Sequence, residues 1–136
     1  MGMVERRAVA EFQERYYPAL LKKVHAAAGY PVTVEVKWDT LALDKEADKY
    51  NTHWPDMYFE PLVAGLGRIN KDDMGRAAIK DGIKKIVIQN EANNKNPDRW
   101  AVLKDGVLTL DHLPFTNVQD RVLRGDKLGL MLEQKL

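Results

Sequence analysis

Three histidines, no cysteine and no serine bound the chemistry open to this 136-residue chain. A thiol nucleophile is excluded, and so is the Gly-x-Ser-x-Gly elbow of serine hydrolases. The remaining hydroxyls of that kind are Thr33, Thr40, Thr52, Thr109 and Thr116. None stands first in the sequence as given, so a threonine activated by its own amine is not expected. Imidazole and carboxylate chemistry remain. His25 lies in an apolar-periodic stretch and reads as a boundary residue of a helix. His53 sits in the aromatic and polar run Tyr50-Asn51-Thr52-His53-Trp54-Pro55-Asp56, and His112 directly follows Asp111. Two histidines joined by Asp39, Asp56 or Asp111 would suffice for zinc or for a general acid–base pair. The spacing does not favour it: His-Glu-x-x-His is absent, and no two histidines fall within ten residues of each other. A hydrolase or metal-dependent enzyme built on His53, His112 and nearby carboxylates is therefore the alternative reading, and no metal or cofactor is expected.

Other ligand classes find less support. Gly65-Leu66-Gly67 lacks the third glycine of a dinucleotide fingerprint and the Gly-Lys-Thr of a P-loop, and it follows a helix-like segment. Close helix packing or a helix end explains it more simply. Arg124-Gly125-Asp126 matches an adhesion tripeptide but lies in a helical segment, where chance explains it. Lys80, Lys84 and Lys85 cluster, yet Asp72, Asp73 and Asp81 offset them, and Lys22-Lys23 reads as a solvated helix face. With 21 basic against 20 acidic residues the chain carries a net charge of +1. That is too little for a field that gathers nucleic acid or anionic membrane.

The most concentrated feature lies at residues 50–59. Tyr50, Trp54, Met57, Tyr58 and Phe59 occupy half of these positions, with Pro55 inside and Pro61 just beyond. Such a segment either plugs one end of a core or exposes part of itself to a partner, since Tyr, Trp and Met are enriched at interface hot spots. The reading carried forward takes Tyr50, His53, Trp54, Met57 and Tyr58 as partner-binding. Trp54 and Tyr58 would be its anchors, and the polar loop Asn90–Arg99 would be a rim. The expected function is then a small, soluble, non-catalytic binding or regulatory protein of the immunity, adaptor or chaperone type, acting on a protein partner. A homodimer is a further expectation, because Leu128, Leu130, Leu132 and Leu136 exceed what one helix face needs.

The elements that must position these residues follow from periodicity. Val4, Ala8, Phe12, Tyr16, Leu20 and Val24 recur every four residues, predicting an amphipathic helix over residues 4–28. Pro18 kinks it or splits it, and Gly29 and Pro31 end it. Val32, Val34, Val36 and Trp38 alternate with Thr33, Glu35 and Lys37, the pattern of a strand covered on one side. One or two helical turns are expected over 44–50, a helix over 61–69, and another through Met74 to Gly82 capped near Asn70. Strands are expected near 83–89, 100–104 and 107–111, the last two joined by Asp105-Gly106, a hairpin signal. Residues 117–136 read as helix. The expectation is one α+β domain over 1–136, with an approximately four-stranded antiparallel sheet (strands near 32–38, 83–89, 100–104 and 107–111) and helices on one face. Residues 83–111 would form a meander.

With 45% hydrophobic residues the chain can bury a core without staples. No apolar run reaches the ~20 residues of a membrane span. Polar residues interrupt any signal-like stretch after Arg6-Arg7, so a cytoplasmic location is expected.

Overall fold

The computed structural model describes residues 1–136. The first apolar ladder forms two helices, α1 (Met3–Arg15) and α2 (Tyr17–Ala28), which abut at Tyr16. Pro18 occupies the first turn of α2, where its missing N–H has no helical partner to lose. Gly29 ends α2 at φ 82°, a conformation that glycine enters without penalty. Strand β1 (Thr33–Val36) follows, then a short helix α3 (Trp38–Leu41). A single 3₁₀ turn (Ala47–Lys49) leads into α4 (Tyr50–Trp54), a π-helical turn (Pro55–Phe59) and α5 (Glu60–Ile69).

Helix α6 (Asp73–Gly82) is capped by Asp72 and not by Asn70: the Asp72 carboxylate accepts the Gly75 N–H at 2.7 Å. Asn70 instead donates its side-chain amide to the Ala27 carbonyl at 2.9 Å, tying the end of α5 to the end of α2. Both residue types favour a cap, and only tertiary contact decides which one serves.

The other strands are β2 (Lys85–Gln89), β3 (Ala101–Lys104) and β4 (Val107–Asp111), and α7 (Arg121–Lys135) closes the chain. Asp105 (φ 51°) and Gly106 (φ 79°) both adopt the positive φ that a type I′ hairpin requires.

The expected antiparallel sheet is not what forms. The strand order is β1-β2-β4-β3. β1 and β2 pair in parallel, β2 and β4 pair in parallel, and only β3–β4 is antiparallel. The meander is also corrected, because β4 inserts between β2 and β3. Alternation reports which side of a strand is covered and says nothing of its neighbour's direction. Direction comes from the connections. The helical crossover from β1 to β2 returns the chain to the same end of the sheet. Residues 90–100 carry the chain across the end of β4 before β3 begins.

Helices cover one face of this sheet. Ile86, Ile88, Leu108 and Leu110 are fully buried in one core cluster with Phe12, Leu62, Leu66, Leu128 and Leu132, and Val34, Val36 and Leu103 pack against it. The opposite face carries the row Glu35, Val87, Thr109 and Val102, none of which joins that cluster. Helices α5 and α7 meet through small residues. A Cβ on Gly65 would lie 2.5 Å from Leu128 Cδ2, and one on Gly129 would lie 2.6 Å from Arg68 Cδ.

Candidate functional site

Four of the five side chains expected at a partner surface are inside. Tyr50, Trp54, Met57 and Tyr58 are each 0% exposed, and His53 is half-buried at the border. The correction has a packing reason. Trp54 stacks on Tyr50 with ring centroids 4.3 Å apart and meets Phe12 edge-on at 5.0 Å. Trp38 approaches both Phe12 and Trp54, and Phe59 packs beside Phe12 and Tyr17. The aromatic segment thus seals the core between α1, α2 and the sheet. The Tyr50 hydroxyl donates to the Leu43 carbonyl at 2.9 Å, and its pKa is pushed up to about 12, chiefly by burial. The Tyr58 hydroxyl donates to the His112 carbonyl at 2.6 Å, and burial holds its pKa well above the ordinary value.

What holds this segment is Arg124, which the sequence shows only as part of the adhesion-like tripeptide. Pro61 has no N–H to offer the carbonyls four and five residues before it, Met57 and Asp56. Arg124, 1% exposed on α7, donates to both, from Nε to Met57 at 3.1 Å and from Nη2 to Asp56 at 3.1 Å. The same guanidinium reaches the Asn117 carbonyl at 2.7 Å and the Val118 carbonyl at 3.0 Å. A planar fork with five donors suits such a task. Arg124 and Gly125, two members of the adhesion-like tripeptide, are buried in α7.

Polar groups gather elsewhere, at the carboxyl ends of the three parallel strands. That edge is where open sheets with parallel strands tend to hold ligands. After β1, Thr40 accepts the Asn90 N–H at 3.0 Å, and Lys37 reaches Glu91 at 3.2 Å. At the end of β4, Asp111 accepts Gln89 Nε2 at 2.9 Å and the N–H groups of Glu91 and Ala92 at 3.1 and 3.2 Å. Asn94 donates to the carbonyls of Asp111 and Asn96, and its own side-chain oxygen accepts the Asn96 N–H. The loop from Asn90 to Arg99 is thereby pinned over the end of β4. It encloses an open recess of about 720 Å³ lined by Ala92, Asn93, Asn94, Lys95, Asn96, Pro97, Arg99 and Asp111.

The histidines do not assemble a reactive group. His25 Nε2 hydrogen-bonds the Val32 carbonyl at 2.9 Å. His53 packs against Phe115 and lines a separate recess with Asp56 and Arg121. His112 is 1% exposed, with Nδ1 2.7 Å from the Leu113 carbonyl. Asp39 is exposed on α3. No group of three or more His, Asp or Glu side chains is placed to hold a metal ion.

Burial is the main cause that holds the His112 imidazole below its ordinary value of 6.5. The unfolded chain therefore binds this proton more readily than the folded one. His112 contributes its full stability above 6.5, and that contribution fades as pH falls below it. Urea melts between about pH 7.5 and pH 5.5 are expected to show stability falling with pH, with a shallower slope in His112→Gln. An unchanged slope would assign the dependence to other groups.

Of the residues around the recess, Asn94 and Asp111 are the ones whose engagement is hidden from sequence. The visible signal was a run of four asparagines between Asn90 and Asn96 with no apolar anchor. The leucines that suggested a dimer are mostly spent internally: Leu128 and Leu132 are fully buried, Leu136 is partly buried, and Leu130 is 44% exposed. No helix is long and apolar enough to cross a membrane. Comparisons with protein-family models, with curated proteins and with solved structures find no match.

Proposed function

We propose that this chain is a small, non-catalytic, cytoplasmic binding or regulatory protein that engages a protein partner through the carboxyl edge of its sheet. The observation that carries this reading is the pinned loop Asn90–Arg99 and the recess beneath it. A loop held over parallel strand ends is preorganised, so little ordering entropy opposes association. The aromatic segment supports the same reading by a different route from the one first expected: it stiffens the scaffold that carries the loop. Asp111 and His112, the strongest candidates for chemistry, are both engaged in holding backbone. A hydrolytic or metal-dependent centre on His53 and His112 is the weaker reading, since one imidazole is enclosed and the other faces a different recess. A two-fold assembly is weaker too, since of Leu128, Leu130, Leu132 and Leu136 only Leu130 is exposed.

Ala92 is exposed on the wall of the recess, and Ala77 is exposed on α6. Ala92→Trp fills the recess without altering charge, and Ala77→Trp serves as its control. The protein captured from cells by the immobilised full chain should be lost with Ala92→Trp and retained with Ala77→Trp. A partner that binds both equally would move the interface away from the strand ends.

A further inference from the structure

The chemistry of the recess narrows what it can take. Of its lining groups, Asp111 and Asn94 are consumed by the loop itself, and the side-chain oxygen of Asn96 accepts the Asp98 N–H. The two carboxylates flanking the loop are neutralised in place, Glu91 by Lys37 at 3.2 Å and Asp98 by Lys127 at 2.9 Å. Lys95 and Arg99 are exposed and belong to none of the protein's ion pairs. The side-chain amide of Asn93 is also unengaged, on a residue held at φ 51°. The recess therefore offers two unpaired cations and free amide groups beside the one Asp111 carboxylate, a lining with a net charge of +1 in an open concavity of side-chain size.

We infer that this recess recognises carboxylates of an acidic segment on the protein partner, with Arg99 gripping one carboxylate in two-point fashion and Lys95 steering a second. The inference rests on the binding reading above and adds the chemistry of the partner. A guanidinium matches a carboxylate bidentately, and an ammonium acts as a point charge beside it. Such charges govern encounter rate and choice of partner, and Asp111, the one carboxylate lining the recess, is turned to the amides of Gln89, Glu91 and Ala92 and forms no ion pair with either cation. A nucleic-acid strand fits less well. It would ask for a stripe of cations and exposed stacking rings, whereas no aromatic side chain lines the recess, Trp100 at the end of the loop is 1% exposed, and the whole chain carries only +1.

The test titrates the ¹⁵N-labelled full chain with a hexaglutamate peptide and follows its amide resonances. Saturable shifts are expected over residues 91–99, with affinity falling roughly tenfold or more in Lys95→Gln/Arg99→Gln, as expected for the loss of two charge-assisted contacts. Lys22→Gln/Lys23→Gln, exposed on α2, should leave the peptide affinity unchanged. Shifts elsewhere, no shifts, or equal loss in the control pair would overturn the inference. It would also fall if oligothymidylate or inorganic phosphate bound the same residues more tightly than the peptide. The captured partner separates the two claims. Loss with Ala92→Trp but retention with Lys95→Gln/Arg99→Gln leaves the surface standing and removes the carboxylate. Retention with both removes both.

Discussion

Arg124→Met is expected to lower folding stability by about 3–5 kcal/mol, because four carbonyls lose charge-assisted hydrogen bonds and each group left unsatisfied costs on the order of 1–3 kcal/mol, partly offset by the apolar methionine. The carbonyls of Asp56, Met57, Asn117 and Val118 would lose their donor in an enclosed site. The Asp56 carbonyl has no helical substitute, because the Glu60 N–H goes to Pro55 and Pro61 cannot supply one. Burial lowers the Arg124 pKa from its ordinary value, yet a guanidinium remains charged in the working range, so the native site always holds a cation. Arg124→Lys should recover only part of the loss, because a single ammonium cannot span four acceptors arranged around a plane. Arg121→Met is the comparison. That side chain is 52% exposed and pairs with Asp56 at 3.5 Å, so a change within about 0.5 kcal/mol is expected. Urea denaturation of the three variants measures this. Equal effects at Arg124 and Arg121 would mean that the guanidinium fork does not anchor the π-helical turn.

Trp54→Ala is expected to cost about 3–5 kcal/mol, or a fall in Tm of about 10 °C or more for a chain of this size. The indole is 0% exposed and contacts the rings of Tyr50, Phe12 and Trp38, so truncation opens a cavity bordered by α1, α3 and α4. Its N–H has no hydrogen-bond partner, so Trp54→Phe should forfeit area alone and lose about 1–2 kcal/mol. Calorimetry of both variants decides it. The same pair discriminates between interior and interface roles. If Trp54 filled a partner's pocket, the alanine variant would melt like the parent and fail only in binding.

Helices α1, α2, α5, α6 and α7 lie close to where their apolar spacing and prolines place them, and the Asp105-Gly106 turn follows from its residue types alone. Those features are set within a few residues of themselves. Strand direction was not legible, because Ile86-Val87-Ile88 reads the same whether its neighbours run with it or against it. The exposure of Tyr50, Trp54, Met57 and Tyr58 was not legible either. An aromatic run looks alike in a plug and in a hot spot, and only the approach of Phe12 and Trp38 distinguishes them. The anchoring role of Arg124 is hidden for a similar reason, since its partners are main-chain carbonyls, two of them on a remote segment. The asparagine-rich loop was visible, but its position over β4 depended on the strand order.

That strand order also bears on how the chain finds its native state. The β3–β4 ribbon closes over a two-residue turn, whereas joining β1 to β2 brings Thr33 to Lys85, 52 positions apart. Short closures form in microseconds, and distant ones wait on the entropy of the intervening chain. The ribbon is thus expected to be an early folding unit that docks beside β2, with the outer parallel pair zipped last. Pulsed hydrogen exchange during refolding should protect the Val102 and Thr109 amides, which bond across the ribbon, before the Glu35 amide, which bonds to β2, and the reverse order would point to a nucleus among the helices instead. A strand that joins last and is paired on one side only is also the first expected to detach from the sheet when the molecule is heated.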